Sequence, residues 1–171
     1  MDSETPETYP TELGHVHLKV RDVDRAVEFY RDVLGLDVTE RVGNYVFLTF
    51  GSEARSASDE ASGEGRPASS DHHHDLALQG VGGDAPEPGP GVGLYHAAFE
   101  VESPEDLRAT YRRLRERGVE VSAVDHHISK ALYFDDPDGN GLEVYLDTRE
   151  ENDRPEWGGE NARFDPESLA E

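Results

Sequence analysis

The chain has 171 residues, of which 38 are Asp or Glu and 16 are Lys or Arg, and its formal net charge is −22. This charge excludes a nucleic-acid binder that works by neutralising phosphates. The length is that of one domain, and no apolar run approaches the roughly 18 residues of a membrane helix. We therefore expect no membrane partner and a cytoplasmic location. The absence of cysteine excludes disulfides, thiolate metal sites and a cysteine nucleophile.

The acidic residues are spread over strand-like, helix-like and loop-like segments, which is typical of a solvated acidic surface. Lys19 and Lys130 are the two lysines, and the other basic residues are arginines. High net charge is a known adaptation of halophilic proteins. The composition therefore favours a protein from a salt-adapted, halophilic cytoplasm.

A repeat with an offset of 81 residues organises the chain. The segments His15-Val-His-Leu-Lys-Val20 and His96-Ala-Ala-Phe-Glu-Val101 share one pattern, and Tyr30 and Tyr111 keep the same offset. Such self-similarity indicates two copies of one structural unit.

In each half, apolar residues at helical spacing follow the repeat segment and predict a helix. The first helix is expected over residues 23–34, between the N-cap Asp22 and Gly35. The second is expected over residues 104–117, between the N-cap Ser103 and Gly118. Three strand-like runs follow each helix: 37–42, 45–50 and about 75–79, then 119–124, 131–134 and 142–146. Gly43-Asn44 predicts a tight hairpin. Each half reads β-α-β-β-β, which predicts an α+β fold of two βαβββ modules.

Composition also divides the chain into segments. The expected order is an N-terminal tail (1–11), a first module (12–80) with a mobile insertion rich in Ser, Gly and acids (52–71), a Gly- and Pro-rich linker (81–92), a second module (93–147) and a C-terminal tail (148–171). Trp157 and Phe164 are the residues that could dock this tail onto the body.

Strand alternation separates polar from apolar residues in three of the predicted strands. His15, His96 and Glu143 each lie on the polar side, opposite apolar rows that can pack beneath the helices. If the two sheets curl around a shared cleft, these residues meet there. Two imidazoles and one carboxylate form the facial set that holds a divalent metal in non-haem Fe(II) oxygenases.

Three longer motifs carry a resemblance to a known family: Gly14-His-Val-His-Leu-Lys-Val-Arg-Asp22, Phe29-Tyr-Arg-Asp-Val-Leu-Gly-Leu36 and Asp136-Pro-Asp-Gly-Asn-Gly-Leu-Glu-Val-Tyr145. Over about residues 13–147 the chain resembles the vicinal oxygen chelate superfamily, which includes glyoxalase I, fosfomycin and bleomycin resistance proteins and extradiol dioxygenases. The resemblance implies one glyoxalase/extradiol dioxygenase-type domain with a metal in the cup between the modules.

Two further segments resemble catechol 2,3-dioxygenase-type extradiol enzymes: His72-His-His-Asp-Leu-Ala-Leu78 and Asp125-His-His-Ile-Ser-Lys-Ala-Leu-Tyr-Phe134. The resemblance implies an acid/base role for His74 and catalytic and substrate-binding roles for His126 and Tyr133. Simple alternation would place His74 beside the buried leucines, so a bulge or a late strand start is needed.

Some features depart from the family pattern. His127 stands where the family usually has glycine, and the chain has one domain where full-length extradiol enzymes commonly have two. His17 is expected in the pocket wall as a substrate-binding residue. Glyoxalase I uses a glutamate on the last strand of its first module, and residues 72–79 contain none.

The leading interpretation is a metal-dependent extradiol dioxygenase that cleaves a small catechol-like aromatic diol with O₂. Fe(II) is the expected metal and Mn(II) the second candidate. The alternatives are a glyoxalase or fosfomycin-resistance type enzyme (a lyase or transferase) with Ni(II) or Zn(II), and a metal-free bleomycin-resistance-like binding protein. A homo-oligomer is compatible with each of them.

Overall fold

A computed structural model describes residues 10, 12–50, 72–153 and 155–169 and contains two successive βαβββ units. The first comprises β1 (Val16–Val20), α1 (Val23–Leu34), β2 (Leu36–Val42), β3 (Tyr45–Phe50) and β4 (Leu76–Gly80). Its sheet has the order β1-β4-β3-β2, with β1 parallel to β4 and the other pairs antiparallel. The insertion predicted over 52–71 lies outside the described residues.

The second unit repeats this arrangement. It comprises β5 (Ala97–Val101), α2 (Pro104–Glu116), β6 (Ser122–Asp125), β7 (Ser129–Asp135) and β8 (Gly141–Asp147). A short strand β9 (Ala162–Arg163) from the C-terminal segment joins the sheet, whose order is β5-β8-β7-β6-β9. A 3-10 helix (Pro166–Ser168) follows β9. The predicted α+β fold of two βαβββ units is therefore confirmed.

The helix ends are set by the residues that the sequence predicts. The Asp22 carboxylate accepts hydrogen bonds from two backbone N–H groups of the first turn of α1, and Gly35 ends this helix at φ 69°. Ser103 caps α2, and Pro104 occupies its first turn. Proline fits there because a backbone N–H in the first turn of a helix has no intrahelical acceptor, so its absence in proline costs no hydrogen bond.

Strand boundaries differ from the expectation in two places. β4 begins at Leu76 rather than at Asp75. The Asp75 backbone still bonds to Val16 and Leu48, and its carboxylate accepts hydrogen bonds from the Thr49 hydroxyl and from the backbone N–H of Phe50. β6 begins at Ser122 rather than at Val119, whose N–H instead bonds to a carbonyl at the end of α2.

One apolar core joins the two units. The helices α1 and α2 contact each other, and Arg113 Nε donates to the carbonyl of Val33 across this contact at 3.1 Å. The buried Tyr30 hydroxyl donates to Asp136 Oδ2 at 2.9 Å in the turn before β8. The core lies on the helix-covered side of each sheet, opposite the face that carries His17 on β1 and Glu143 on β8.

No helix among the described residues is both long and apolar enough to span a bilayer.

Candidate metal centre and active site

His15 and His96 each stand one residue before an edge strand. His15 precedes β1 and His96 precedes β5, and each of these strands has one hydrogen-bonded neighbour among the described residues. The segment before β5 approaches β8 closely, since a Cβ at Gly141 would collide with the Tyr95 carbonyl oxygen. Glycine at this position therefore allows His96 to reach the side chains of β8.

The second unit brings His96, Glu143 and Tyr133 together. His96 Nε2 lies 2.9 Å from Glu143 Oε2, and the Tyr133 hydroxyl donates to Glu143 Oε1 at 2.9 Å. Glu143 is 8% exposed. The pKa of Tyr133 is raised well above its ordinary value, mainly by burial and secondly by the hydrogen bond to Glu143. Tyr133 therefore remains a neutral hydrogen-bond donor over the physiological pH range.

His126 extends this cluster toward the C-terminal segment. Its Nε2 lies 2.9 Å from the Tyr133 hydroxyl, and its Nδ1 lies 2.6 Å from Asn161 Oδ1. The Trp157 ring stands nearly perpendicular to the His126 ring, with 6.3 Å between centroids. Asn161 was not anticipated, because it lies 35 residues beyond His126 in a segment without a recognisable motif.

The first unit assembles a different group of rings. The centroids of His15 and His74 are 4.5 Å apart, and those of Phe47 and His74 are 4.8 Å apart. The late start of β4 places His74 outside the regular alternation, so the ring lies beside His15 rather than beside the buried leucines. Desolvation lowers the pKa of His74, and the neighbouring histidines lower it further.

The other histidines have separate environments. His17 lies edge-on to Tyr45 at 5.9 Å, on the exposed face of β1. His72 contacts the carbonyl of Gly14, whereas His73 contacts Glu40 and also lies with its Nδ1 3.1 Å from that of His74. His127 has φ 65°, a left-handed conformation that glycine adopts more easily and that explains the glycine of the resembling family.

The three predicted ligands do not meet within one chain. Among residues 12–50, 72–153 and 155–169, no group of three or more His, Asp and Glu side chains is close enough to hold a metal. His96 and Glu143 are paired, whereas His15 lies on the other sheet beside His74. Within the described residues, the sheets of one chain therefore do not bring the three ligands into one cleft, because the two units pack through α1 and α2. His15 as the third ligand stays a prediction.

The His96–Glu143 pair has the chemistry and spacing of two metal ligands. Two donors at right angles on an ion, each about 2.1 Å away, are separated by about 3.0 Å, and the observed separation is 2.9 Å. His96 Nδ1 is buried with no hydrogen-bond partner among the described residues. A cavity of about 640 Å³ lined by Tyr95, His96 and Tyr133 opens beside the pair. The chemistry of these two residues fits a divalent ion.

Sequence comparison establishes the family. The family model described as "Glyoxalase/Bleomycin resistance protein/Dioxygenase superfamily" matches residues 12–144, and the chain belongs to this superfamily. Biphenyl-2,3-diol 1,2-dioxygenase 3 of Rhodococcus globerulus is 33% identical over 176 aligned positions, covering 96% of this chain and 83% of that protein. The catechol-2,3-dioxygenase of Bacillus subtilis is 30% identical, covering 80% of this chain but 42% of that enzyme. A manganese-dependent 2,3-dihydroxybiphenyl 1,2-dioxygenase of Geobacillus genomosp. 3 is 27% identical, covering 79% of this chain and 36% of that enzyme.

Solved structures show the same fold at lower identity. A glyoxylase/bleomycin resistance protein/dioxygenase domain from Frankia matches with a TM-score of 0.61 and 23% identity, covering 81% of this chain and 99% of that one. The fosfomycin resistance protein FosX of Listeria monocytogenes, in complex with Mn(II) and sulfate, matches with a TM-score of 0.58 and 16% identity, covering 84% and 96%. At these identities the likeness concerns the fold.

Proposed function

We propose that the protein is a metal-dependent extradiol-type dioxygenase that cleaves a small aromatic diol with O₂, with Fe(II) or Mn(II) as its metal. The observation that carries the proposal is the hydrogen-bonded series His96, Glu143, Tyr133 and His126, which joins two metal-type donors to two groups suited to a phenolic substrate. The identity to two diol dioxygenases, 33% and 30%, supports the same reaction class.

The ligands in this proposal are His15, His96 and Glu143. A divalent ion bound by them would act as a Lewis acid and would bring the diol and O₂ together. Tyr133 holds Glu143 through its hydroxyl and lines the cavity, and His126 is the proposed ligand of a substrate oxygen. His74 is the candidate acid/base, because a neutral imidazole accepts a phenolic proton at ordinary pH.

A second copy of the chain is the proposed source of His15. A ligand histidine directly precedes each of the edge strands β1 and β5, and an exposed leucine stands two residues before each histidine, Leu13 at 80% exposure and Leu94 at 66%. A two-fold axis that brings β1 of one chain beside β5 of the other generates two identical cups and leaves neither edge open. Each cup then contains His15, His74 and His17 from one chain, and His96, Glu143, Tyr133 and His126 from the other.

A fosfomycin-resistance type reaction uses the same donor set and is the competing function. The His126–Tyr133 bond favours the dioxygenase, because the resemblance implies this pair for the diol site of extradiol enzymes. A glyoxalase I-type site would need a glutamate on the last strand of the first unit. That strand, β4, has the sequence Leu-Ala-Leu-Gln-Gly and contains none.

The test is anaerobic reconstitution with Fe(II) or with Mn(II), followed by addition of O₂ and a series of catechols. We expect O₂ uptake with formation of a yellow ring-cleavage product, and one metal ion per chain. His96→Ala should lose most of the metal, whereas the control His73→Ala, whose ring lies against the surface residue Glu40, should keep it. Full metal content in His96→Ala, or consumption of fosfomycin without any catechol turnover, would contradict the proposal.

A further inference from the structure

The C-terminal segment is attached to the second unit by contacts of several kinds. β9 extends the sheet by pairing with β6, with Val124 opposite Arg163 and Asp125 opposite Ala162. Glu167 forms an ion pair with Arg112 on α2. Phe164 packs against the core, and the Lys130 ammonium lies 5.4 Å from the centre of its ring. Residues 162–169 are therefore held in a defined position on the body of the protein.

This attachment places Asn161 against His126. Asn161 directly precedes β9, and its Oδ1 lies 2.6 Å from His126 Nδ1. Trp157, whose Nε1 donates to the carbonyl of Glu160, covers another side of the same ring. The imidazole of His126 thus contacts the C-terminal segment at Nδ1 and on its flank, while Nε2 faces Tyr133.

The hydrogen bond at one imidazole nitrogen determines the role of the other. If Asn161 Oδ1 accepts at Nδ1, then Nδ1 carries the hydrogen and Nε2 of the neutral ring has a free lone pair. Nε2 lies 2.9 Å from the Tyr133 hydroxyl, whose single hydrogen also has Glu143 Oε1 within 2.9 Å. Nε2 is then an acceptor that competes with Glu143 Oε1 for the Tyr133 hydroxyl hydrogen.

We propose that Asn161 is a positioning residue that holds His126 as its Nδ1–H tautomer and so makes Nε2 a hydrogen-bond acceptor at the active site. The catalytic meaning of this proposal rests on the proposed dioxygenase function, but the tautomer does not. Without Asn161 the Nδ1–H tautomer loses its acceptor. The Nε2–H tautomer, which can donate to the Tyr133 oxygen, then becomes the more stable of the two.

The tautomer can be measured directly by long-range ¹H–¹⁵N NMR on the full chain loaded with diamagnetic Zn(II), with His126→Gln used to assign the ring signals. We expect a protonated Nδ1 and an unprotonated Nε2 in the parent protein. Asn161→Leu, similar in size but without polar atoms, should shift the ring toward Nε2–H. Asn161→Asp keeps an acceptor oxygen and should restore the parent pattern.

A control variant separates positioning from docking of the segment. Glu167→Gln weakens the ion pair to Arg112 but leaves Asn161 intact, so it should keep the parent tautomer. The proposal would be overturned by any of three results. These are an Nε2–H tautomer in the parent protein, the parent tautomer retained in Asn161→Leu, or the same tautomer in Asn161→Asp as in Asn161→Leu. In catechol turnover we expect Asn161→Leu to have a roughly 2- to 12-fold lower kcat/KM. This range corresponds to the loss of one hydrogen bond that contributes about 0.5 to 1.5 kcal/mol. Absence of turnover in the parent would count against the dioxygenase function and leave the NMR result to decide the role of Asn161.

Discussion

His15 and His96 occupy the same position in the two repeats, one residue before β1 and one residue before β5, yet they belong to different sheets. His96 is paired with Glu143 in its own unit, whereas His15 contacts His74. Since the units pack through their helices, the proposed metal shared by the two histidines requires two chains that associate through β1 and β5.

Complementation between two inactive variants tests this shared centre. Chains with His15→Ala and with His96→Ala, carrying different affinity tags, are co-expressed and purified through both tags. In a two-fold dimer one of the two sites is then intact and the other lacks both histidines, so we expect about half of the parent metal content. Homodimers of either variant should bind little metal. A mixed dimer without metal would exclude a centre shared between chains.

Replacement of His74 should separate catalysis from metal binding. His74 lies beside His15 without belonging to the proposed ligand set, and a positioned acid/base contributes about 10²- to 10⁴-fold to rate. We expect His74→Phe to retain its metal and to lose activity within this range. His72→Phe is the matched control, because the His72 ring contacts Glu12 and the Gly14 carbonyl rather than His74. Metal loss in proportion to activity would instead identify His74 as a ligand or a structural residue.

Tyr30 provides a stability test away from the active site. Its buried hydroxyl donates to Asp136, and burial followed by this acidic neighbour raises its pKa well above the ordinary value. Tyr30→Phe should lower the free energy of unfolding at pH 7 by about 1 to 3 kcal/mol, measured by urea denaturation. Tyr111→Phe, at the equivalent position of α2, is half-buried and should cost less.

The pH dependence of the same pair has a definite sign. The unfolded Tyr30 ionises near pH 10, whereas the folded residue stays protonated to a higher pH. The stabilisation is therefore complete below about pH 10 and is lost as the pH rises toward the folded pKa. The difference in unfolding free energy between the parent and Tyr30→Phe should shrink above pH 10. A constant difference would show that this hydroxyl does not resist ionisation.

Salt should stabilise the protein if the acidic surface is an adaptation to it. The net charge of −22 is self-repulsive, and the Debye length falls from about 10 Å at 0.1 M salt to about 3 Å at 1 M. We expect Tm, measured by calorimetry, to rise substantially between these two conditions, with NaCl and KCl giving similar increases. A flat or falling Tm would contradict salt adaptation.

Local signals in the sequence were sufficient for the two units. The caps Asp22 and Ser103 and the glycine at the end of α1 each depend on neighbouring residues, and the 81-residue repeat shows the same short patterns twice. The structure contains the elements that they predict. The register of β8 was predictable for the same reason, since alternation alone places Glu143 on the side opposite Leu142 and Val144.

The relation between the units was not predictable from these patterns. Alternation shows which face of a strand is polar, but it does not show where that face points once two helices pack together. The contact of α1 with α2 and the Tyr30–Asp136 bond join the two units in an arrangement that separates His15 from His96. The contact of Asn161 with His126 likewise depends on β9 joining β6, a pairing between residues distant in the chain. The sequence by itself determined the elements and their polar faces, because these follow from short-range periodicity and capping. Only the tertiary structure decided which side chains meet, because long-range packing between the units and the C-terminal segment brings them together.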